Sequence, residues 1–93
     1  MDDILYLSSL YDYYKGLLTD KQRSYFEDYY FENLTMEEIS ENNQVSKNAV
    51  SKTIIEVKEK LNEYESILHL VDNKSKIESV LSLDEIDKIK DYI

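Results

Sequence analysis

The chain has no cysteine and no proline, and only one glycine, one histidine and one arginine. Without cysteine there is neither a disulfide frame nor a thiolate metal site, which fits a reducing compartment, and a cytoplasmic location is expected. The lone His69 leaves no histidine pair for a metal and no supported base for a nucleophile. It reads as a structural or surface histidine. A single glycine, Gly16, cannot build a phosphate-cradling loop. Neighbouring carboxylates such as Glu27-Asp28 and Glu37-Glu38 point apart on a helix and read as solvated faces or caps. No enzyme activity, cofactor or metal is therefore expected. Apolar runs are only a few residues long, so no membrane-inserted span is expected. The opening MDDILYLSSLYD is acidic where a secretory leader is basic, so no leader is expected either.

What remains is a 93-residue chain with apolar residues at helical spacing throughout and nothing resembling a linker. That predicts an all-α fold with one modest core. The organising stretch is Leu34 to Ile54, LTMEEISENNQVSKNAVSKTI. Thr35 with Glu38 forms a capping box, opening a helix that turns Met36, Ile39 and Ser40 inward. Asn42-Asn43 is expected to end it, because asparagine tolerates the left-handed conformation of a helix exit. Val45 plugs the turn. Ser46 caps a second helix whose Ala49, Val50 and Ile54 face the first. Lys47, Asn48, Ser51 and Lys52 then face outward. This is the plan of a DNA-binding helix-turn-helix, in which short polar and basic residues near the start of the second helix meet the major groove. Asn43 and Gln44 depart from the usual pattern, which has an apolar residue and a glycine there. An ordinary helical hairpin with solvated lysines is the alternative.

Upstream, residues 2–18 predict a helix with the stripe Ile4, Leu7, Tyr11, Tyr14 and Leu18, widened by Leu10 and Leu17. Asp2 and Asp3 suit the positive end of its dipole, and Gly16 loosens its last turn. Thr19 with Gln22 is a second capping box, opening a helix that carries Tyr25, Phe26, Tyr29 and Tyr30, with Phe31 at its end. Basic residues do not interleave with these rings, so they read as core and partial interface rather than as a base-stacking platform.

Downstream, Val50, Ile54, Val57, Leu61, Tyr64, Leu68 and Val71 repeat at alternating spacings of four and three. That predicts one unbroken helix from Lys47 to about Val71 that needs a partner surface. The first helix can cover part of it and a second copy the rest, so a homodimer is expected. Asp72-Asn73 reads as the break, dividing a helical domain, residues 1–72, from a short helical tail, residues 73–93. In the tail, Ile77, Val80 and Leu81 form a short helix, and Ser82 with Glu85 caps a last one carrying Ile86, Ile89 and Tyr92-Ile93 inward.

Net charge is −9, unevenly spread. Residues 1–33 hold seven acids and three bases, residues 34–60 five and four, and residues 61–93 eight and four. The helix-turn-helix is thus the nearly neutral part, and its second helix from Lys47 to Ile54 carries two lysines and no acid. The global field still weakens association with a polyanion.

The runs LLTDKQRSYFEDYY and LTMEEISENNQVSKNAV resemble the YlxM family of small bacterial helix-turn-helix proteins. Thr19-Asp20-Lys21-Gln22-Arg23, the Tyr29-Tyr30 pair, Ile39, Val45-Ser46 and Ala49-Val50 carry the likeness, and Leu61, Tyr64, His69 and Leu70 fit the family's long helix. It covers about three quarters of the chain and fades after Asp72. The resemblance implies a bundle like region 4 of sigma-70-type factors and a bacterial cytoplasmic regulator linked to the signal recognition particle and its GTPase. Lys47 and Asn48 stand where the family pattern has arginine and glutamine, and Ser40 where it has alanine. The expected partners are double-stranded DNA, read by Ser46, Lys47, Asn48, Ser51 and Lys52, and components of the signal recognition particle. The alternative function is a protein-interaction module that modulates the particle or its GTPase without binding DNA.

Overall fold

The structure, a computed structural model, describes residues 4–92. It is all-α, with no strand among the described residues. Six helices follow in order: α1 (Ile4–Tyr14), α2 (Asp20–Tyr30), α3 (Met36–Asn43), α4 (Lys47–Leu68), α5 (Leu70–Val80) and α6 (Leu83–Ile89). Single 3-10 turns follow α1 and α6, at Lys15–Leu17 and Lys90–Tyr92. The roles expected of Asp2, Asp3 and Ile93 lie outside the described residues.

Each predicted capping box has both of its bonds. The Gln22 amide donates to the Thr19 hydroxyl oxygen at 3.1 Å, and the Thr19 amide to the Gln22 side chain at 2.9 Å. The Thr35–Glu38 bonds are both 3.0 Å. Those of Ser82–Glu85 are 3.0 and 3.3 Å. Two donors that a helix start leaves unpaired are satisfied at each site.

Two clusters of buried side chains meet on opposite halves of α4. Toward its C-terminus, Val57 and Leu61 pack with Leu7, Leu10, Tyr11, Tyr14, Leu18 and Phe26. Toward its N-terminus, Val50 and Ile54 pack with Tyr25 and Ile39. Tyr30 touches both clusters. The aromatic residues of α1 and α2, exposed Tyr6 excepted, are in the core or pack against it: Tyr11 stacks on Phe26 with centroids 4.7 Å apart, and Phe26 lies 4.8 Å from Tyr30. The only arginine is used internally. Arg23 donates to the carbonyls of Lys15 and Leu18 and pairs with Asp20, tying the α1–α2 turn together. The stripe Val50, Ile54, Val57 and Leu61 is covered within one chain, without a second copy.

Two breaks differ from those expected. α3 ends in a left-handed residue, but that residue is Gln44 (φ 55°) and not an asparagine. The Val45 amide donates to the Ser40 carbonyl at 3.0 Å and the Gln44 amide to the Glu41 carbonyl at 3.3 Å, the pair of bonds of a Schellman exit. Asn43 stays helical and donates its side chain to the Ile39 carbonyl at 2.8 Å. The long helix stops at Leu68, not Val71, because His69 takes the left-handed conformation (φ 55°). α5 then runs unbroken across Asp72-Asn73.

The cause of the second break is Glu65. It occupies a buried place one turn beyond Leu61, with 8 % of its surface exposed. Its carboxylate accepts from the Tyr14 hydroxyl at 2.6 Å, the Val71 amide at 3.1 Å and the Asp72 amide at 2.9 Å. The Tyr14 oxygen accepts from the Leu70 amide at 3.1 Å. The first three amides of α5, which have no partner within their own helix, are thus capped by side chains of α1 and α4. No residue of α5 or α6 is buried, and Val80, Leu83 and Tyr92 stand in solvent.

Candidate nucleic-acid interface

α3 and α4 form the helix-turn-helix, joined through Gln44, Val45 and Ser46. Ile39 from α3 meets Val50 and Ile54 from α4, with Leu34, Met36 and Val45 closing the rim. Ser40 is buried against the contact and donates to the Glu37 carbonyl at 2.7 Å. This packing fixes which side of α4 is left outside.

Ser46 caps α4 by accepting from the Ala49 amide at 3.0 Å. Lys47 and Asn48 follow on the first turn, both exposed. Ser51 is half-buried and Lys52 exposed on the next turn. Asn48, Ser51 and Lys52 line one open surface groove, together with Ile55, Glu56 and Glu59. Lys47 and Ser46 lie at the helix start, outside that lining. Among the described residues neither Lys47 nor Lys52 forms an ion pair. Neither ammonium group is engaged by a carboxylate of the described residues, which leaves both open to a partner. By contrast Lys58 lies over the Tyr30 ring, 5.4 Å from its centroid, against the core.

The acids nearby work the other way. Glu37, Glu38 and Glu41 are exposed on α3, and Glu56 and Glu59 close the far end of the groove. In the groove the one basic residue, Lys52, thus lies on the N-terminal side of the acids. Ile55, Glu56 and Glu59 were absent from the sequence-based site. Their signal was spacing alone: residue 55 lies seven after Asn48, four after Ser51 and three after Lys52, on one helical face.

The architecture and this exposed second helix define a helix-turn-helix protein. The chain belongs to the UPF0122 family, described as "Putative helix-turn-helix protein, YlxM / p13 like", which matches residues 1–92. It is 39% identical over 90 residues to a UPF0122 protein of Ureaplasma urealyticum serovar 10, covering 92% of this chain and 91% of that one. A UPF0122 protein of Thermoanaerobacter sp. strain X514 is 39% identical over 89 residues, covering 96% of this chain and 72% of its own. One from Oceanobacillus iheyensis is 41% identical over 90 residues, covering 97% and 81%.

Proposed function

We propose that this protein is a regulatory binding module that docks the first two turns of α4 in the major groove of double-stranded DNA. Lys47 and Lys52 contact phosphate or a guanine edge, Asn48 and Ser51 contact base edges, and Ser46 holds the helix start. The observation that carries this reading is the pair of unpaired lysines beside two short polar residues on the outward face of a capped second helix. A cytoplasmic, non-enzymatic regulator linked to the signal recognition particle pathway belongs with it.

Titration of fluorescent duplex DNA at two salt concentrations tests it, with K47A/K52A alongside. Salt-sensitive binding is expected, with the salt slope falling by about two in the double variant. Equal affinity in wild type and variant would overturn the assignment.

A second reading is favoured by the tail. There, Val80, Leu83 and Tyr92 are exposed near Asp84, Glu85 and Asp87 in sequence, and no helix of the described residues covers them. An acidic, partly apolar arm suits a basic surface of the signal recognition particle or its GTPase. In that reading residues 1–72 are the body and 73–93 the arm, a division of role, since α5 itself is continuous there. Neutralising Asp84, Glu85 and Asp87 to their amides should weaken association with the particle; an unchanged complex would remove this surface. Homodimerisation, if it accompanies either role, would draw on exposed Ile67, Leu68 and Leu70 at the α4–α5 joint, since the upstream stripe is already covered. Sedimentation at micromolar concentration measures it, and a clean monomer would exclude it.

A further inference from the structure

Resting on the DNA reading above, we infer that Ile55 is a base-reading residue that selects thymine through its C5-methyl group. Between Lys47 and Glu65 every other valine, isoleucine or leucine of α4 is buried: Val50, Ile54, Val57 and Leu61 are at most 1 % exposed, while Ile55 is 50 % exposed. It stands in the same groove as Asn48, Ser51 and Lys52. Positions 47, 48, 51, 52 and 55 form one continuous face, and Ile55 is its only apolar side chain.

Dimensions fit the major groove. Ile55 lies eight positions after Lys47, about 12 Å of helix at about 1.5 Å per residue, comparable to the roughly 12 Å width of the groove. A β-branched side chain on a helix is held in one χ1 rotamer, so its methyl groups are already oriented and lose little freedom on contact. Among the edges that base pairs present in the major groove, the thymine methyl is the apolar feature. Glu56 and Glu59 line the same groove and follow Ile55 in sequence, toward the C-terminal half of α4. Their charge disfavours phosphate there, so the helix enters by its N-terminus and Ile55 faces base edges rather than backbone. The occupant this face fits is therefore a duplex site with an A·T pair two to three steps from the base touched by Asn48, a distance of about 10 Å along α4.

The experiment begins by enriching a random duplex pool on the wild-type protein. The enriched pool is then remade with deoxyuridine in place of thymidine, which deletes only the methyl. Wild type should bind the uracil pool roughly three- to fivefold more weakly, the value of one methyl contact. Ile55→Ala should bind both pools alike, with the helical circular-dichroism signal and the salt slope unchanged. Equal binding of the two pools by wild type, or a thymine preference that survives in Ile55→Ala, overturns the role of Ile55 while leaving the DNA reading intact. Absence of binding to any duplex at low salt overturns both, and salt-sensitive binding to the thymidine pool tells the two failures apart.

Discussion

Tyr14 and Glu65 lie 51 residues apart in sequence, yet the tyrosine hydroxyl donates to the carboxylate at 2.6 Å inside the core. Between them they cap Leu70, Val71 and Asp72, so one buried pair fixes where α4 ends and in which direction α5 leaves. α5 has no fully buried residue, and this cap orients it together with Val71 against the core and Lys74 over the Tyr13 ring. Tyr14→Phe should destabilise the protein by about 1–2 kcal/mol and Glu65→Gln by about 1–3 kcal/mol, since each leaves buried donors or acceptors unpaired. Urea unfolding of both single variants and the double variant should show coupling of at least about 0.5 kcal/mol, because the bonds share one network. Additive losses would mean that the two groups act separately.

The same pair sets how stability varies with pH. Burial opposes the Glu65 charge, but the bonds from Tyr14, Val71 and Asp72, with His69 nearby, outweigh it and hold its carboxyl below the usual carboxylate range. Its contribution is thus present above the ordinary glutamate value and is lost as pH falls through the lowered folded-state value. Tyr14 is pushed up to about 12 by burial and by its bond to Glu65. Its contribution is full below the ordinary tyrosine value of about 10 and is lost as pH rises toward 12. Tyr11 is raised for the same reasons, by burial and by Glu27. Melting temperature should therefore fall between pH 10 and 12. Tyr14→Phe should reduce that fall, with the remainder carried by Tyr11.

Gln44 holds φ 55° at the exit of α3, a conformation that strains any residue with a Cβ. Gln44→Gly should raise stability by about 1 kcal/mol, somewhat offset by the added freedom of the unfolded chain. It leaves the outward face of α4 untouched, so DNA affinity should not change. A destabilised variant in thermal melts would show that the Gln44 side chain itself holds the turn.

Much of the fold could be read from local signals. Thr19–Gln22, Thr35–Glu38 and Ser82–Glu85 announce three helix starts because a capping box needs only residues three apart. Val50, Ile54, Val57 and Leu61 mark the buried face of α4 by period alone. Glu65 was illegible for the opposite reason. Its burial depends on a hydroxyl 51 residues away and on amides of the next helix, while the apolar repeat Leu61, Tyr64, Leu68 reads straight past it. The left-handed residues Gln44 and His69 were missed because tertiary packing, not side-chain preference, sets where those helices end. In the site, Lys47 and Lys52 stood out as charges without nearby acid. Ile55 lies off the apolar stripe, on the face of Asn48, Ser51 and Lys52, but an aliphatic side chain carries no polar or charge signal to mark it as part of a site.

Ile54 tests that packing directly. It is 1 % exposed and joins Tyr25, Ile39 and Val50 between the two helices of the motif. Ile54→Ala should cost about 2–5 kcal/mol, from lost burial and the cavity left behind. Ile55→Ala, one residue on and half exposed, should stay within about 0.5 kcal/mol of wild type. Equal losses at the two positions in urea melts would mean that α4 is rotated from this arrangement.

The acids at the far end of the groove yield the sharpest electrostatic expectation. Glu56 and Glu59 line the same surface as Lys52 and form no ion pair among the described residues. In a complex they face phosphate at distances comparable to the screening length of about 10 Å at 0.1 M salt, so their repulsion is felt at low salt and screened at high salt. E56Q/E59Q should therefore tighten duplex binding by roughly three- to tenfold at low salt, with the gain shrinking as salt rises. Folding stability should hardly move, because neither carboxylate has an ion-pair partner among the described residues to lose. A double variant that binds DNA no better at any salt would place the duplex away from this groove, and the lysines would then have to act through another face of α4.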